Sequence, residues 1–460
     1  MPVPIPVRPN HPRGAPVAPL AALALTLLAA TAATALTPAS AAPRTPATST
    51  STATSASARH PTPCAELPAS PAWYGDNRAR LQQVIDAYAP CGAASSASTP
   101  SAAAALDGKQ PVAVFDWDNT VVKNDVGDAL FYWTLRHDAV LRPAAWTDLN
   151  RYLTPAAADA LGTACDASAA VGSPLPTATD TACADEIYAV YHGTTTAGAT
   201  AFAGYDHRLM SPGSAWVAEL LSGHTTAQIT SYAERARAQN LAAPVGTTQQ
   251  VGSHQVTGWV RYYTQQRDLI GTLRRDGYAV WVASASPQID VQVWAAGLGI
   301  PPGHVIGIRN LYAHDRQTPH LKGCGDVPDG ADSVLTYVSG KRCFVNQDVF
   351  GIHGAAAFRS APPGDHAVLA AGDSSTDVVF VGDAIGVHLV INRNVTELMC
   401  HAYDDADGKW LINPMFIQPL PQRATPYPCS TTGYTNPDGS PGPVRRDDGS
   451  VIPDQTDTVF

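Results

Sequence analysis

The sequence predicts an α/β fold in which a parallel sheet is interrupted by a large, mainly α-helical insertion. Three short apolar runs each end at polar residues, and they span residues 111–115, 278–283 and 367–371. Runs of this length and composition are typical of buried parallel strands. Helical patterns lie between the runs, for example over residues 268–275. This alternation favours an open parallel sheet with right-handed crossovers.

The residues that follow these runs identify a candidate site. Asp116 follows the first run, Ser284 the second, and Gly372 with Asp373 the third. Ligands of open α/β sheets bind beyond the carboxyl ends of the strands. We therefore expect side chains that are far apart in the sequence to meet in one crevice.

The insertion is predicted over residues 124–267, between two parts of a catalytic core at 107–123 and 268–400. Such an interval is far longer than the few residues that usually join adjacent strands. Residues 215–221 and 227–239 show helical apolar spacing, and Thr225 with Gln228 forms a candidate capping box. A helical domain that covers the crevice is the expected arrangement.

The N-terminal residues 1–42 are predicted to be a signal peptide. Two arginines precede an apolar stretch over residues 20–36, and small residues at 39–41 offer a cleavage site. An uncleaved membrane anchor is the alternative, but threonines dilute the stretch and it is short for a span. We expect no stable membrane insertion after cleavage.

Two further segments differ in composition from the core. Residues 43–106 are predicted to be an Ala/Ser/Thr/Pro-rich linker with a short helix at 77–87, because they carry little apolar surface. Residues 401–460 are rich in Pro and Gly, and we expect them to wrap around the core without a chemical role.

Cysteine content supports export. The eight cysteines all follow the proposed cleavage site, and an even number in an exported chain indicates disulfides. Pairing of sequence neighbours is the simplest of the possible connectivities. A metal site is the alternative, but no CxxC spacing supports it. We expect Cys64–Cys91, Cys165–Cys183, Cys324–Cys343 and Cys400–Cys429.

Charge excludes one class of partner. The formal net charge is -10 and the sequence pI is about 5.7. Nucleic-acid backbones require clustered Lys and Arg, and the sequence has no such run. We therefore expect no nucleic acid among the partners of this chain.

The segment from Asp116 to Thr120, Asp-Trp-Asp-Asn-Thr, carries the chemistry. Residues two apart in extended backbone project to the same side, so Asp116 and Asp118 face one site. One carboxylate can attack a phosphorus atom while the other transfers protons. Both repel a phosphate dianion, so a hard cation such as Mg²⁺ is needed.

Other candidates complete this site. In the segment Gly-Asp-Ser-Ser-Thr-Asp, Asp373 can ligate the metal and Asp377 can support it from behind. Ser284 can bind phosphoryl oxygens. A lysine should stabilise the phosphate, and Lys341 is favoured over Lys322 because a glycine precedes it in what we expect to be a Cys-flanked loop.

Together these motifs resemble the haloacid dehalogenase superfamily, in particular its phosphoserine-phosphatase-like and phosphorylcholine-phosphatase-like branch. The family's DxDxT pattern is matched by Asp116, Asp118 and Thr120, its serine by Ser284, its lysine by Lys341, and its GDSxxD pattern by residues 372–377. The resemblance implies a Rossmann-like core with a helical C1-type cap. It also implies Asp116 as nucleophile, Asp118 as acid/base, Thr120 near the phosphate, and Mg²⁺ held by Asp116, Asp373 and the Asp118 carbonyl.

These motifs predict a small phosphorylated substrate, but they do not define which compound it is. The resemblance places an acidic, cation-binding residue nine positions after the nucleophile, which is Asp125 here; helix capping is the alternative reading. The aromatic run Phe131, Tyr132 and Trp133 suggests a quaternary-ammonium cage. Consecutive residues of a helix point in different directions, which favours packing instead.

Rival functions remain open. Dehalogenation makes little use of a second aspartate or of the GDSxxD pattern. A phosphotransferase acting on an alcohol and a non-catalytic binding protein of the same fold are the alternatives. His314 and His320 suggest a second metal, but we expect them to lie in a loop without hairpin spacing.

Overall fold

A computed structural model describes residues 63–91, 106–362 and 364–460. The predicted signal peptide (1–42), most of the linker (43–62 and 92–105) and residue 363 lie outside the described residues. In the part of the chain that is described, no helix is both long enough and apolar enough to span a membrane.

The first described elements lead into the core and then into the insertion. The short helix predicted at 77–87 is confirmed, and the first apolar run forms a strand. The elements are α1 (Asn77–Tyr88), β1 (Val112–Phe115), β2 (Val122–Lys123) and α2 (Val126–Arg136).

The interval between β2 and the second part of the core is mainly helical, as the sequence predicts. It continues with α3 (Pro155–Cys165), α4 (Thr181–Tyr191), α5 (Pro212–Glu219), α6 (Thr226–Ala242), β3 (Thr248–Val251), β4 (His254–Thr257) and β5 (Arg261–Tyr262). Helix α6 begins at the predicted capping box of Thr225 and Gln228. The antiparallel pair of β3 and β4 was not predicted, and β2 pairs with β5 where the chain leaves and rejoins the core.

The rest of the chain alternates between strands and helices. Its elements are α7 (Thr264–Arg275), β6 (Ala279–Pro287), α8 (Gln288–Ala295), β7 (Val305–Ile308), β8 (Asn310–Ala313), β9 (Arg316–Leu321), α9 (Ser339–Phe350), β10 (Leu369–Gly372), α10 (Val378–Gly382), β11 (Val387–Asn392), α11 (Thr396–Asp404), β12 (Trp410–Pro414), β13 (Tyr434–Thr435) and β14 (Pro441–Gly442). The three predicted core strands correspond to β1, β6 and β10.

Six parallel strands form the central sheet in the order β12-β11-β10-β1-β6-β7. The predicted α/β fold is therefore confirmed. The first strand lies in the interior of the sheet, where Phe115 is in register with Ala371 of β10 and Val282 of β6. The sheet extends beyond the predicted core limit at residue 400, because β12 adds its edge strand.

Alternation along β1 divides the core into two layers. Ala113 and Phe115 pack with α1, α7 and α8 on one face. Val112 and Val114 pack with α9 and α10 on the other face. This period of two places apolar side chains on both faces, as expected for a strand covered by helices on each side. The insertion has a core of its own, which includes Trp216.

The four predicted disulfides are present. They join Cys64 to Cys91, Cys165 to Cys183, Cys324 to Cys343 and Cys400 to Cys429. The second lies wholly within residues 124–267, so none of the four connects this interval to the sheet. Such pairs are typical of proteins that fold in an oxidising compartment.

The loop predicted around His314 and His320 was wrong. Strands β8 and β9 form an antiparallel hairpin there, and His314 and Asp315 adopt positive φ in its turn. His320 is exposed and contacts Asp332 at 2.9 Å. Apolar alternation in this segment is weak because Pro319 and several polar residues interrupt it, so the hairpin is hidden from a pattern-based prediction.

Candidate active site

The predicted site residues meet at the carboxyl ends of the central strands. Asp116 directly follows β1, and its backbone N–H donates to the carbonyl of Ala371 on β10. Asp373 directly follows β10, and Ser284 lies in the last part of β6. Asn119 adopts φ 60°, a conformation that asparagine tolerates well, and it turns the chain after the two aspartates.

Lys341 is the lysine of this site. Its ammonium lies 2.7 Å from Asp116 Oδ1 and 2.5 Å from Asp377 Oδ1, and the side chain is completely buried. Lys322 is instead exposed and pairs with Asp329 at 2.8 Å. The expected Cys-flanked loop was wrong, because Lys341 lies in the first turn of α9. A Cβ at Gly340 would come within 1.9 Å of the Leu335 carbonyl, so glycine is required there.

The segment after β10 is folded around Asp377. The Oδ2 atom of Asp377 accepts the backbone N–H groups of Asp373 and Ser374, each at 3.0 Å. A Cβ at Gly372 would lie 2.5 Å from the Asp377 Cβ, which explains the glycine before Asp373. Asp377 therefore holds Asp373 and Lys341 in place, which is the supporting position that the sequence predicts.

Thr120 joins the two strand ends. Its hydroxyl lies 3.1 Å from Asp116 Oδ2 and 2.9 Å from Asp373 Oδ1, and it is fully buried. The other oxygen of Asp373 accepts from Arg393 at 2.7 Å. A contact of Thr120 with phosphate stays a prediction.

The arrangement of carboxylates fits a hard cation. Asp116, Asp373 and Asp377 each offer one oxygen, and these atoms lie within 4.8 Å of one another. Mg²⁺ prefers such oxygen ligands and takes only one or two carboxylates from the protein. Asp377 is already bonded to Lys341 and to two backbone N–H groups. Asp116 and Asp373 are therefore the side chains that would hold the ion.

Burial alters the acidity of these groups. Burial and the Asp377 carboxylate raise the pKa of Asp116 well above its usual range, while Lys341 acts in the opposite direction. Burial raises the pKa of Asp373 to about 6, although the Arg393 guanidinium opposes this. Burial alone would lower the pKa of Lys341, but Asp116 and Asp377 outweigh it and raise the pKa. The cluster therefore concentrates negative charge that a cation would stabilise.

The Asp118 carboxylate points away from the other three. Its Oδ1 accepts the backbone N–H of Val126 at 2.7 Å, and its Oδ2 accepts the hydroxyls of Ser286 at 2.7 Å and Ser284 at 3.3 Å. Burial, with Asp125 and Asp116 nearby, raises the pKa of Asp118 well above its usual range. A carboxyl of this kind is suited to proton transfer. A role for the Asp118 carbonyl in metal binding stays a prediction.

Ser284 lies beside Asp118, and its contact with phosphoryl oxygens stays a prediction. Its hydroxyl contacts Asp118 Oδ2 and accepts the backbone N–H of Ser286 at 3.2 Å. Ser286 was not among the predicted site residues. Its position two residues further along extended backbone places it on the same side as Ser284, which is the signal that could have identified it.

A cavity of about 230 Å³ adjoins the carboxylate cluster through Asn119 and Arg393, and residues of the insertion form most of its lining. Asp125 lines it and also caps α2, accepting the backbone N–H of Asp128 at 3.0 Å. Burial and Asp128 raise the pKa of Asp125 to about 7. The helix-capping reading is thus correct, and a contact with a substrate cation stays a prediction. The lining residues are Asn119, Asn124, Asp125, Asp128, Ala129, Asn240, Thr257, Trp259, Val260 and Arg393.

The aromatic run contributes to packing. Phe131, Tyr132 and Trp133 are all buried, and none of them lines the cavity. Trp133 stacks on Tyr232 with ring centroids 5.2 Å apart, inside the helical layer. The run therefore does not form a cage for a quaternary ammonium group in this cavity.

Asp290 is a buried carboxyl that was not predicted. It lies in the first turn of α8 and is completely buried, and within the described residues neither carboxylate oxygen has a hydrogen-bond partner. Burial, with Asp118 and Asp125 nearby, raises its pKa well above the usual range. An unpaired buried carboxyl is expected to lower stability when it must ionise.

We expect Asp290→Asn to change how stability depends on pH. Above the ordinary Asp pKa the unfolded chain releases this proton and the folded chain retains it, so wild-type stability falls as pH rises toward the folded pKa. The unfolding free energy of Asp290→Asn minus that of wild type should therefore rise by about 1.4 kcal/mol per pH unit in that window. Urea unfolding at several pH values measures the difference.

The exposed Asp159→Asn removes the same charge from the surface of α3 and serves as the control. Its difference from wild type should stay nearly constant over the same pH range. A constant difference for Asp290→Asn as well would show that this carboxyl is not protonated in the folded chain.

Comparisons with known proteins place the fold. No protein-family model matches the sequence, and no curated protein matches it. A conserved protein of unknown function from Anaerococcus prevotii matches at 15% identity and TM-score 0.51, over 74% of this chain and 92% of that one. A protein of unknown function from Bordetella pertussis matches at 16% identity and TM-score 0.38, over 67% and 99%. A substrate-bound phosphoserine phosphatase matches at 12% identity and TM-score 0.27, over 62% and 86%.

The first of these similarities shows a shared fold alone. The six-stranded parallel sheet, the insertion after the first strand and the strand-end aspartates agree with the architecture that the motifs imply. The prediction of a haloacid dehalogenase-like fold, with a Rossmann-like core and a helical insertion, is confirmed. Phosphatase activity stays a prediction.

Proposed function

We propose that this chain is a magnesium-dependent phosphomonoesterase that acts through a phosphorylated Asp116. The proposal rests on the observation that Asp116 and Asp118 have different hydrogen-bond partners. Asp116 is held by Lys341, while Asp118 is turned toward Ser286 and the start of α2. Two carboxylates with separate partners can perform attack and proton transfer.

In the first step, an oxygen of Asp116 attacks the phosphorus and the bond to the substrate's alcohol oxygen breaks. Lys341 orients the attacking carboxylate and neutralises charge that develops on the phosphoryl oxygens. Asp118 donates its proton to the leaving alkoxide. Its Oδ1 accepts one hydrogen bond among the described residues, so this oxygen has room for the proton.

In the second step, Asp118 is ionised and takes a proton from water. The water oxygen attacks phosphorus, the bond between phosphorus and Asp116 breaks, and inorganic phosphate leaves. Asp118 thereby recovers its proton and Asp116 its carboxylate, so the cycle closes without another reactant.

Magnesium fits the site through Asp116 and Asp373. When bound, the ion would neutralise the phosphoryl oxygens and the surrounding carboxylates. Asp377 and Thr120 would hold these two ligands in position through the bonds they already make.

Export is part of the proposal. The four disulfides support folding in an oxidising compartment, and the predicted signal peptide would direct the chain there. The substrate would be a small phosphorylated compound, because a cavity of about 230 Å³ suits a short alcohol.

Phosphate release tests the proposal. The oxidised chain from residue 43 onward should hydrolyse members of a phosphomonoester panel with Mg²⁺, and EDTA should abolish turnover until excess Mg²⁺ restores it. Adding glycerol separates hydrolysis from phosphoryl transfer, since transfer would release more alcohol than phosphate. A folded chain without turnover on any ester would contradict the proposal and favour a binding protein.

A further inference from the structure

Arg393 is a cation of the cavity that the sequence motifs do not include. It follows β11, and its Nη1 donates to Asp373 Oδ2 at 2.7 Å. The side chain remains 37% exposed and lines the cavity. A guanidinium has five N–H donors, and among the described residues the bond to Asp373 is the one it makes. Donors are therefore left for a ligand.

The position of Arg393 indicates which part of a substrate it meets. The phosphoryl group must lie against Asp116 and Lys341, and an in-line attack directs the leaving alcohol away from Asp116. The cavity beside the cluster can take this alcohol. Asp125 and Asp128 line it, and Arg393 is the single cation among its lining residues. Lys341 is completely buried and already paired, so it cannot serve a second anionic group.

The C-terminal segment fixes the loop that carries Arg393. The Asn392 amide donates to Asp457 Oδ1 at 3.1 Å and to the Val459 carbonyl at 2.6 Å. The hydroxyl of Tyr427 donates to Asn394 Oδ1 at 2.7 Å. Tyr427 and Asn392 are buried, so these bonds are shielded from water. The two residues that flank Arg393 are thus held by the C-terminal segment, for which the sequence predicts no chemical role.

We propose that Arg393, positioned by the C-terminal segment, is a specificity-determining residue that binds a carboxylate on the substrate's alcohol. The inference rests on the proposed phosphatase function and narrows the substrate to phosphate esters of hydroxy acids. A guanidinium binds carboxylates through paired, charge-assisted hydrogen bonds. Its bond to Asp373 leaves the other edge of the group for this purpose.

Two pairs of phosphate esters test whether the chain recognises the carboxylate. Phosphoserine and phosphoethanolamine differ by this group alone, and phosphoglycerate and glycerol phosphate differ by a carboxylate in place of a hydroxymethyl. Wild type should show the higher kcat/KM for the acidic member of each pair. Arg393→Gln should lower the acidic-to-neutral ratio by about 10- to 100-fold, since a hydrogen bond to a charged group is lost. Arg393→Lys should lie between the two.

Tyr427→Phe tests the role of the C-terminal segment. It removes the bond to Asn394 and keeps the ring, so the ratio should fall in the same direction by a smaller factor. If Arg393 only supports Asp373, Arg393→Gln should lower kcat/KM equally for the acidic and the neutral ester of each pair. The acidic-to-neutral ratio would then be unchanged. An unchanged ratio in Arg393→Gln, or no wild-type preference for the acidic esters, would overturn the inference.

A measurement of ester binding tests this inference independently of the proposed phosphatase activity. In the Asp116→Asn chain, the Kd of each ester is measured by calorimetry with Mg²⁺, with and without Arg393→Gln. Tighter binding of the acidic esters that depends on Arg393 would support the inference even if wild type releases no phosphate. Equal binding of both members by a chain that does turn over would reject the inference and leave the phosphatase intact.

Discussion

Asp116→Asn should reduce kcat for phosphate release by about 10⁴-fold or more, because the attacking carboxylate is replaced by a poor nucleophile of the same shape. Asn can keep a hydrogen bond to Thr120, and Lys341 retains Asp377 as its partner. The fold should therefore persist. Steady-state kinetics with a phosphomonoester and excess Mg²⁺ measure the loss.

The loss must arise from chemistry and not from unfolding. Removing one of several buried like charges should keep the Tm of Asp116→Asn at or above that of wild type. The exposed Asp159→Asn should retain full activity. Wild type quenched in acid during turnover should carry phosphate on Asp116, and Asp116→Asn should carry none. Substantial turnover by a pure Asp116→Asn sample would exclude Asp116 as the nucleophile.

Asp118→Asn should reduce kcat by about 10²- to 10⁴-fold for an alkyl phosphate, because the alkoxide would leave without a proton. The loss of phosphorylation rate should be far smaller for an aryl phosphate, whose phenolate leaves readily. The second step also needs Asp118 as a base. An aryl ester should therefore give a burst of phenolate close to one per chain, followed by slow turnover.

Ser286→Ala gives a graded control for this result. It removes the 2.7 Å hydrogen bond to Asp118 Oδ2 and keeps the carboxyl, so the loss should be smaller than in Asp118→Asn and follow the same dependence on the leaving group. Equal losses on alkyl and aryl esters, without a burst, would show that Asp118 is not the proton donor.

The grouping of the candidate site residues was predictable because its signals are local. Asp116 directly follows β1, with Asp118 two residues later, and Asp373 directly follows β10. Parallel strands bring such ends together at one edge of the sheet. The capping box of α6 and the three core strands are likewise local patterns. Lys341 lies at the carboxylates as the sequence predicts, and its role with phosphate stays a prediction. Its place on α9 was missed because polar residues around it weaken the helical pattern.

Residues whose role depends on packing were not predictable. Arg393 follows β11 as Asp116 follows β1, but its proposed role depends on bonds that its neighbours Asn392 and Asn394 make to Asp457 and Tyr427. No spacing rule connects those residues to Arg393. Asp290 resembles an ordinary acidic residue at a helix start until its complete burial is seen. Likewise, β12 lies in a segment whose Pro and Gly content predicted turns.

The disulfides bear on how this protein would be made. Each joins cysteines 18 to 29 residues apart, in strictly consecutive pairs along the chain. A chain that is exported from its N-terminus would present both partners of one pair before either partner of the next. Closing such short loops costs little entropy compared with longer alternatives. We therefore expect oxidation in order of emergence, with little need for a disulfide isomerase during biogenesis.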